Sequence, residues 1–218
     1  MPEALKTEYR STSIPFEVRE TDDGKQYVEG YGIKWDQLSL ELGYWDKFKE
    51  KFERGAFLEY LDDRNQNTKF LVDHETGKIL ARTDKGTLEL KEDEIGLFYR
   101  LEIPNTTLGR DYYEDVKNGN KDGVSVGFRV SVEEWDESDE ENIVRTIKKA
   151  ELLEISGTGW PAYPQTTANV RSIKDAYQEF KDATEEVQES RETSEESGSQ
   201  ATGQDIELEK LKLIEMEI

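Results

Sequence analysis

The chain of 218 residues has no cysteine and a single histidine, His74. The first absence removes disulfides, thiolate zinc sites and cysteine nucleophiles; the second removes any two-histidine metal site within one chain. Histidine chemistry, if there is any, must run through His74. Basic residues are scarce too: 29 Lys and Arg stand against 50 Asp and Glu, for a formal net charge of −21. That balance argues against a phosphate-binding surface, so nucleic acid is not an expected partner. No apolar run approaches the roughly 20 residues that span a bilayer. The opening MPEALKTEYR lacks the apolar centre of a signal peptide. The expectation is a soluble, intracellular protein without a membrane partner.

Against those absences stand 4 Trp, 10 Tyr and 8 Phe in a chain that is 34% hydrophobic and 36% charged. This is more aromatic material than a disordered chain carries, and enough for one modest core. The acidity is uneven. Residues 175–218 hold 14 acidic and 4 basic side chains, and 190–204 (SRETSEESGSQATGQ) contain no large apolar residue. Such a stretch cannot offset the entropy of ordering and reads as a flexible acidic linker. The expected organisation is a flexible start at 1–9, a folded body at 10–171, a helical extension at 172–189, the linker, and a terminal helix at 205–218. In the extension, Ile173, Ala176, Tyr177, Phe180 and Val187 fall near one helical face.

Within the body, short apolar alternations are broken by Gly, Asn and Asp, the pattern of strands. GKQYVEGYGIKW is expected to put Tyr27, Glu29, Tyr31, Ile33 and Trp35 on one face and Gly30 and Gly32 on the other. KFLVDH, KILARTDKGTLELKED and GLFYRLEIP read as strands with turns at Asp84-Lys85-Gly86 and at 93–96. Two helices are expected. WDKFKEKFERGAF spaces Phe48 and Phe52 four apart before Gly55, and TLGRDYYEDVKNGN runs from an Asn105/Thr106 cap to Gly119. Runs of strands with few helices predict an α+β fold: a mostly antiparallel barrel or sandwich carrying helices.

Three residues stand out chemically. In DGVSVGFRVSVEEW, alternation puts Val124, Val126, Phe128, Val130 and Val132 on one face and Ser125, Gly127, Arg129 and Ser131 on the other. Glycines at 123 and 127 would let a substrate backbone approach. A strand serine between glycines is also an ordinary structural residue. His74 ends the KFLV strand, where site residues are common, although a lone histidine is equally at home as a surface group. A serine nucleophile needs a base, and the base a third group to orient it. In AELLEIS, alternation places Leu153 and Ile155 on one face and Leu152, Glu154 and Ser156 on the other, so Glu154 interrupts an apolar strand. Either it serves a site or it pairs with a strand cation such as Arg129. No D-x-D-x-D-G loop supports a metal-dependent hydrolase, and nothing calls for a cofactor.

In this order the segments GYGIKW, ERGAF, VDHETG through VSVGF, and ELLEISGTGWPAYPQTTANVR resemble the serine proteases that mature the proheads of tailed bacteriophages, a family related to the herpesvirus assemblins. The resemblance implies a small β-barrel surrounded by helices, with Ser125 as nucleophile, His74 as base and Glu154 orienting His74. The assemblins use a second histidine in the third role, which this chain lacks, so Asp73 and Asp36 are the substitutes for Glu154. Arg129 or the amides of the SGTGW turn are the candidate oxyanion donors. The implied substrates are scaffold, the scaffold-like segment of the major capsid protein and the chain itself. The place of action would be inside the prohead in the host cytoplasm, with loss from the mature virion; a homo-oligomer is compatible with it. The acidic tail would serve as a packaging signal and self-cleavage target. The alternative is a non-catalytic β-rich assembly protein acting through that tail.

Overall fold

A computed structural model describes residues 6–13, 16–43, 47–139, 141–159, 176–178 and 180–182. The chain divides by contact into two units, Met1–Lys174 and Asp175–Ile218. In the second, 176–178 and 180–182 are helical, and the Tyr177 and Phe180 rings lie 6.3 Å apart. The remaining positions of the helical extension, the linker and the terminal helix lie outside the described residues.

The described residues of the first unit form ten strands: β1 (Glu8–Thr12), β2 (Glu17–Glu20), β3 (Gln26–Lys34), β4 (Lys49–Phe52), β5 (Lys69–Val72), β6 (Glu75–Arg82), β7 (Leu88–Glu92), β8 (Gly96–Glu102), β9 (Gly123–Asp136) and β10 (Val144–Thr158). Its helices are α1 (Leu58–Asp62) and α2 (Thr107–Lys117). The strands form a six-stranded sheet, β1-β9-β10-β5-β6 with β4 also on β10, and a four-stranded sheet, β2-β3-β8-β7. Among the described residues only the β10 pairings with β4 and β5 are parallel. The fold is α+β, but the expected barrel is not closed. β1 and β6 end one sheet and β2 and β7 the other, so each of the four has a single strand neighbour among the described residues. Alternation in a sequence encodes strands and their inward faces; it does not encode whether the outer strands meet.

The two sheets share one core. Phe70 of β5 lies 5.4 Å from Tyr99 of β8, and Val124, Val126, Phe128, Leu152 and Ile155 of the larger sheet are fully buried. Helix α2 adds Tyr112, 5.9 Å from Phe70. Its N-terminus is capped as expected, with Gly109 N donating to Thr106 Oγ1 at 3.0 Å. β3 keeps the expected division of faces up to Tyr31, with Tyr27, Glu29 and Tyr31 together on the less buried one. Val28, Gly30 and Gly32 point inward, and an irregularity between Tyr31 and Ile33 then turns Ile33 into the core. Gly32 fits closely inside: a Cβ there would sit 3.0 Å from Val126 Cγ2, which would have to give way slightly.

The expected helix at 45–57 is replaced by strand β4. A spacing of four suits both periods, and here Phe48, Glu50 and Phe52 all face inward as alternate residues of an extended chain. Glu50 at that position belongs to a buried ion cluster. Arg145 of β10 donates to Glu8 at 2.7 and 2.8 Å, to Glu50 at 2.8 Å and to Glu133 at 2.5 and 2.8 Å. Arg10 of β1 donates to Glu50 at 2.8 Å and to Glu8 at 2.7 Å, and its guanidinium lies over the Phe128 ring. Two residues assigned by sequence to the flexible start, Glu8 and Tyr9, are thus part of a strand held by charge.

Removing Arg145 would leave three carboxylates facing one guanidinium. Arg145→Met is expected to lower the unfolding free energy by about 3–5 kcal/mol in urea titrations. Lys148→Met, which breaks the exposed pair with Glu134, should change it by no more than about 1 kcal/mol. The pH dependence has a definite sign. Burial alone would raise the Glu8 carboxyl, but its bonds to Arg145 and the neighbouring Arg10 hold it below the usual range. Its stabilisation is therefore present above the usual glutamate value of about 4.3 and lost as pH falls through the lowered one. The stability gap between wild type and Glu8→Gln should shrink over that acid window, and a constant gap would refute this assignment.

Candidate active site

The outer face of the larger sheet gathers the sequence candidates. On β9, Ser125 and Gly127 face outward; on β10 they pair with Ser156 and Glu154, and on β1 with Ser11 and Tyr9. Two rows result, Ser11-Ser125-Ser156 and Tyr9-Gly127-Glu154. The β10 alternation departs from expectation at a single point. A register shift between Leu152 and Glu154 bulges Leu153, so Leu152 joins the core opposite Phe128 while Glu154 and Ser156 still face outward.

His74 reaches the same face from the hairpin between β5 and β6. Val72 pairs with Glu75, leaving Asp73 and His74 as a two-residue turn with φ of 51° and 61°. Both positions have the left-handed backbone that such turns usually give to Asn and Gly. Holding two side-chain residues there costs on the order of 1 kcal/mol or more each, a kind of strain concentrated at functional sites. The turn is tied to β10: Asp73 N donates to Gly157 O at 3.1 Å and His74 N to Ser156 Oγ at 3.2 Å.

Glu154 Oε1 contacts His74 Nδ1, and Glu154 Oε2 accepts from Ser156 Oγ at 2.7 Å. Both carboxylate oxygens are thus directed, and the imidazole is held by one nitrogen with Nε2 left for proton transfer. Glu154 is 8% exposed. Asp73 instead pairs with Lys121 at 2.5 Å, and Asp36 lies 4.0 Å from Lys51. Of the three acids weighed for the third role, only Glu154 touches His74. The alternative of a Glu154 pair with Arg129 is not formed. Arg129 lies 3.7 Å from Glu151 and is four residues along β9 from Ser125, about 13 Å at strand spacing. Ser156 to Thr158 of the SGTGW segment lie within β10, and Trp160 is outside the described residues.

Ser125 is not hydrogen-bonded to His74. Its residue is fully buried, and its hydroxyl accepts from Ser11 Oγ at 2.9 Å. The Tyr9 ring meets the His74 ring edge-on, with centroids 4.9 Å apart. Burial and the nearby Glu154 charge push the Tyr9 phenol above its usual value, so it stays neutral. Sequence reasoning missed Tyr9 and Ser11 because nothing in EYRST distinguishes a docked strand from a loose terminus. Ser156 was legible as a neighbour of Glu154 by its i+2 spacing. Among the described residues no group of three or more His, Asp or Glu is arranged to hold a metal ion.

This chemistry coincides with a family assignment. A model of the caudovirus prohead serine proteases matches residues 14–182, so the chain belongs to that family and is a serine protease. A solved structure, that of the bacteriophage T4 capsid assembly protease gp21, is similar at 10% identity with a TM-score of 0.46, over 72% of this chain and 99% of that one. No protein of curated function matches the chain in sequence.

Gly127 sits at the centre of the second row, between Tyr9 and Glu154. A Cβ there would lie 2.8 Å from the Tyr9 ring and 2.9 Å from Glu154 Cγ. Gly127→Ala is expected to loosen β1 by about 1–3 kcal/mol, read as at least a tenfold loss of amide protection across residues 8–12 in hydrogen exchange. Unchanged protection there would show that the strand does not lean on this glycine.

Proposed function

We propose that this chain is a prohead maturation endopeptidase in which Ser125 is the nucleophile, His74 the general base and Glu154 the group that orients it. The observation that carries the reading is the Glu154 carboxylate on Nδ1 of the only histidine, on the sheet face that also bears Ser125. In the working cycle Ser125 Oγ attacks the peptide carbonyl carbon as its proton passes to His74 Nε2. Collapse of the tetrahedral intermediate breaks the C–N bond, and the departing amine takes that proton. Water, deprotonated by the same imidazole, then releases the acyl group and restores the serine. Glu154 fixes the tautomer and stabilises the imidazolium, while Ser156 keeps Glu154 aimed.

The substrates we propose are scaffold or the scaffold-like segment of the major capsid protein, together with the chain's own acidic tail between residues 172 and 205. Family membership supports the first, and the linker composition at 190–204 the second. The work would be done inside the assembling shell in the host cytoplasm, with the protease lost from the mature virion. A net charge of −21 favours removing the protein before DNA enters. A non-catalytic assembly role is favoured by one observation, the burial of Ser125 against Ser11.

Intact-mass analysis over time separates the two readings. Wild type should lose tail fragments while Ser125→Ala and His74→Ala stay whole; identical fragments from wild type and Ser125→Ala would refute self-cleavage. Glu154→Gln keeps the shape and removes the charge, so cleavage should fall by roughly a few hundredfold or more. Asp73→Asn should change it by less than about fivefold, because that carboxylate serves Lys121. A large loss in Asp73→Asn with little in Glu154→Gln would reverse the assignment.

A further inference from the structure

Strand β1 stands where a bound substrate strand would stand. It pairs antiparallel with β9 over five residues, and its alternate side chains fall on both groups the chemistry needs: Ser11 on Ser125 and Tyr9 on His74. A peptide carbonyl cannot reach the Ser125 hydroxyl while the Ser11 side chain fills that approach. We propose that Glu8–Thr12 is a self-docked occupant of the substrate-binding edge of β9, which must leave before Ser125 can meet a peptide bond. This rests on Ser125 being the nucleophile, as proposed above.

Three features make the strand removable. It is an edge strand, with β9 as its strand neighbour among the described residues. Its two buried charges, Glu8 and Arg10, cancel. When they withdraw, Arg145 keeps its bonds to Glu50 and Glu133, and the remaining cluster has the same net charge of −1 as before. The strand also precedes residue 14, where the match to the protease family begins, whereas His74, Ser125 and Glu154 all fall inside it. The occupant that replaces it is an extended peptide running antiparallel to β9. Such a peptide takes up the same backbone donors and acceptors of residues 124–128, the strand-addition mode of recognition.

A reversible staple tests this on the full chain, which has no cysteine of its own. Thr12 and Val124 are directly paired, so Thr12→Cys with Val124→Cys places two thiols within disulfide reach. The readout is covalent modification of Ser125 by a fluorophosphonate, followed by intact mass, with Ser125→Ala as the blank. The oxidised protein should react at least about twentyfold more slowly than the same protein after reduction, and wild type should be indifferent to the redox treatment. Equal rates in the two redox states would overturn the occlusion while leaving the nucleophile in place. No modification in either state, or in wild type, would overturn the nucleophile and the occlusion with it. As a second arm that needs no staple, Glu8→Gln weakens the anchor and should react at least about threefold faster than wild type; an unchanged rate would count against the proposal.

Discussion

The outer face of the larger sheet is organised by the contact between the Glu154 carboxylate and His74 Nδ1. Both partners arrive by irregular backbone. Glu154 follows a bulge that lets two adjacent leucines occupy a strand without turning the carboxylate into the core. His74 is the second residue of a tight turn at a left-handed φ of 61°. Neither irregularity makes sense alone, since a regular strand and an Asn-Gly turn would each be more stable. Together they bring a carboxylate and an imidazole from different hairpins onto one spot. Ser156 and Gly157, the next residues of β10, hold the turn by its backbone amides.

That contact depends on a second one at the other end of β10. Arg145 fixes the strand's start through three carboxylates, each on another strand of the sheet, β1, β4 and β9. The cluster is held by charge-assisted hydrogen bonds, the kind of site where loss of one partner is severe and the intact set is close to neutral in stability. The chain is short of hydrophobic residues, at 34%. A buried ion cluster lets strands β1 and β4 be placed without a further layer of apolar side chains.

Much of this was legible in residue order. The outward set on β9, the turns at 84–86 and 93–96, the Thr106 cap and the shared face of Glu154 and Ser156 all follow from alternation and turn chemistry. The failures have specific causes. Phe48 and Phe52, four apart, satisfy a helix and a strand alike, and nothing local pairs Glu50 between them with Arg145, 95 residues away. The β3 faces hold up to Tyr31, and Ile33 leaves the face of the tyrosines because the irregularity after Tyr31 has no local signal in the alternation. Barrel closure was an expectation of resemblance, and the edges β1, β6, β2 and β7 do not meet. The choice of Glu154 over Asp73 and Asp36 lay beyond any local pattern, since it turns on which carboxylate the bulge and the hairpin bring together.

A strand tethered to the body it occupies competes at an effective concentration on the order of millimolar. A dilute substrate with comparable pairing to β9 would lose to β1 nearly always, because the backbone hydrogen bonds exchanged are the same on both sides. The balance changes only where substrate strands are themselves crowded to a similar concentration, the condition inside a closed protein shell and not in dilute solution. A protease confined with its substrates would then need no separate activating ligand, since crowding alone would favour replacement of β1. The same competition would slow cleavage outside the shell without sacrificing the pairing that binds substrate inside it. The opposed charges of Glu8 and Arg10 suit that role: they hold the strand in register, and on leaving they do not change the net charge of the cluster.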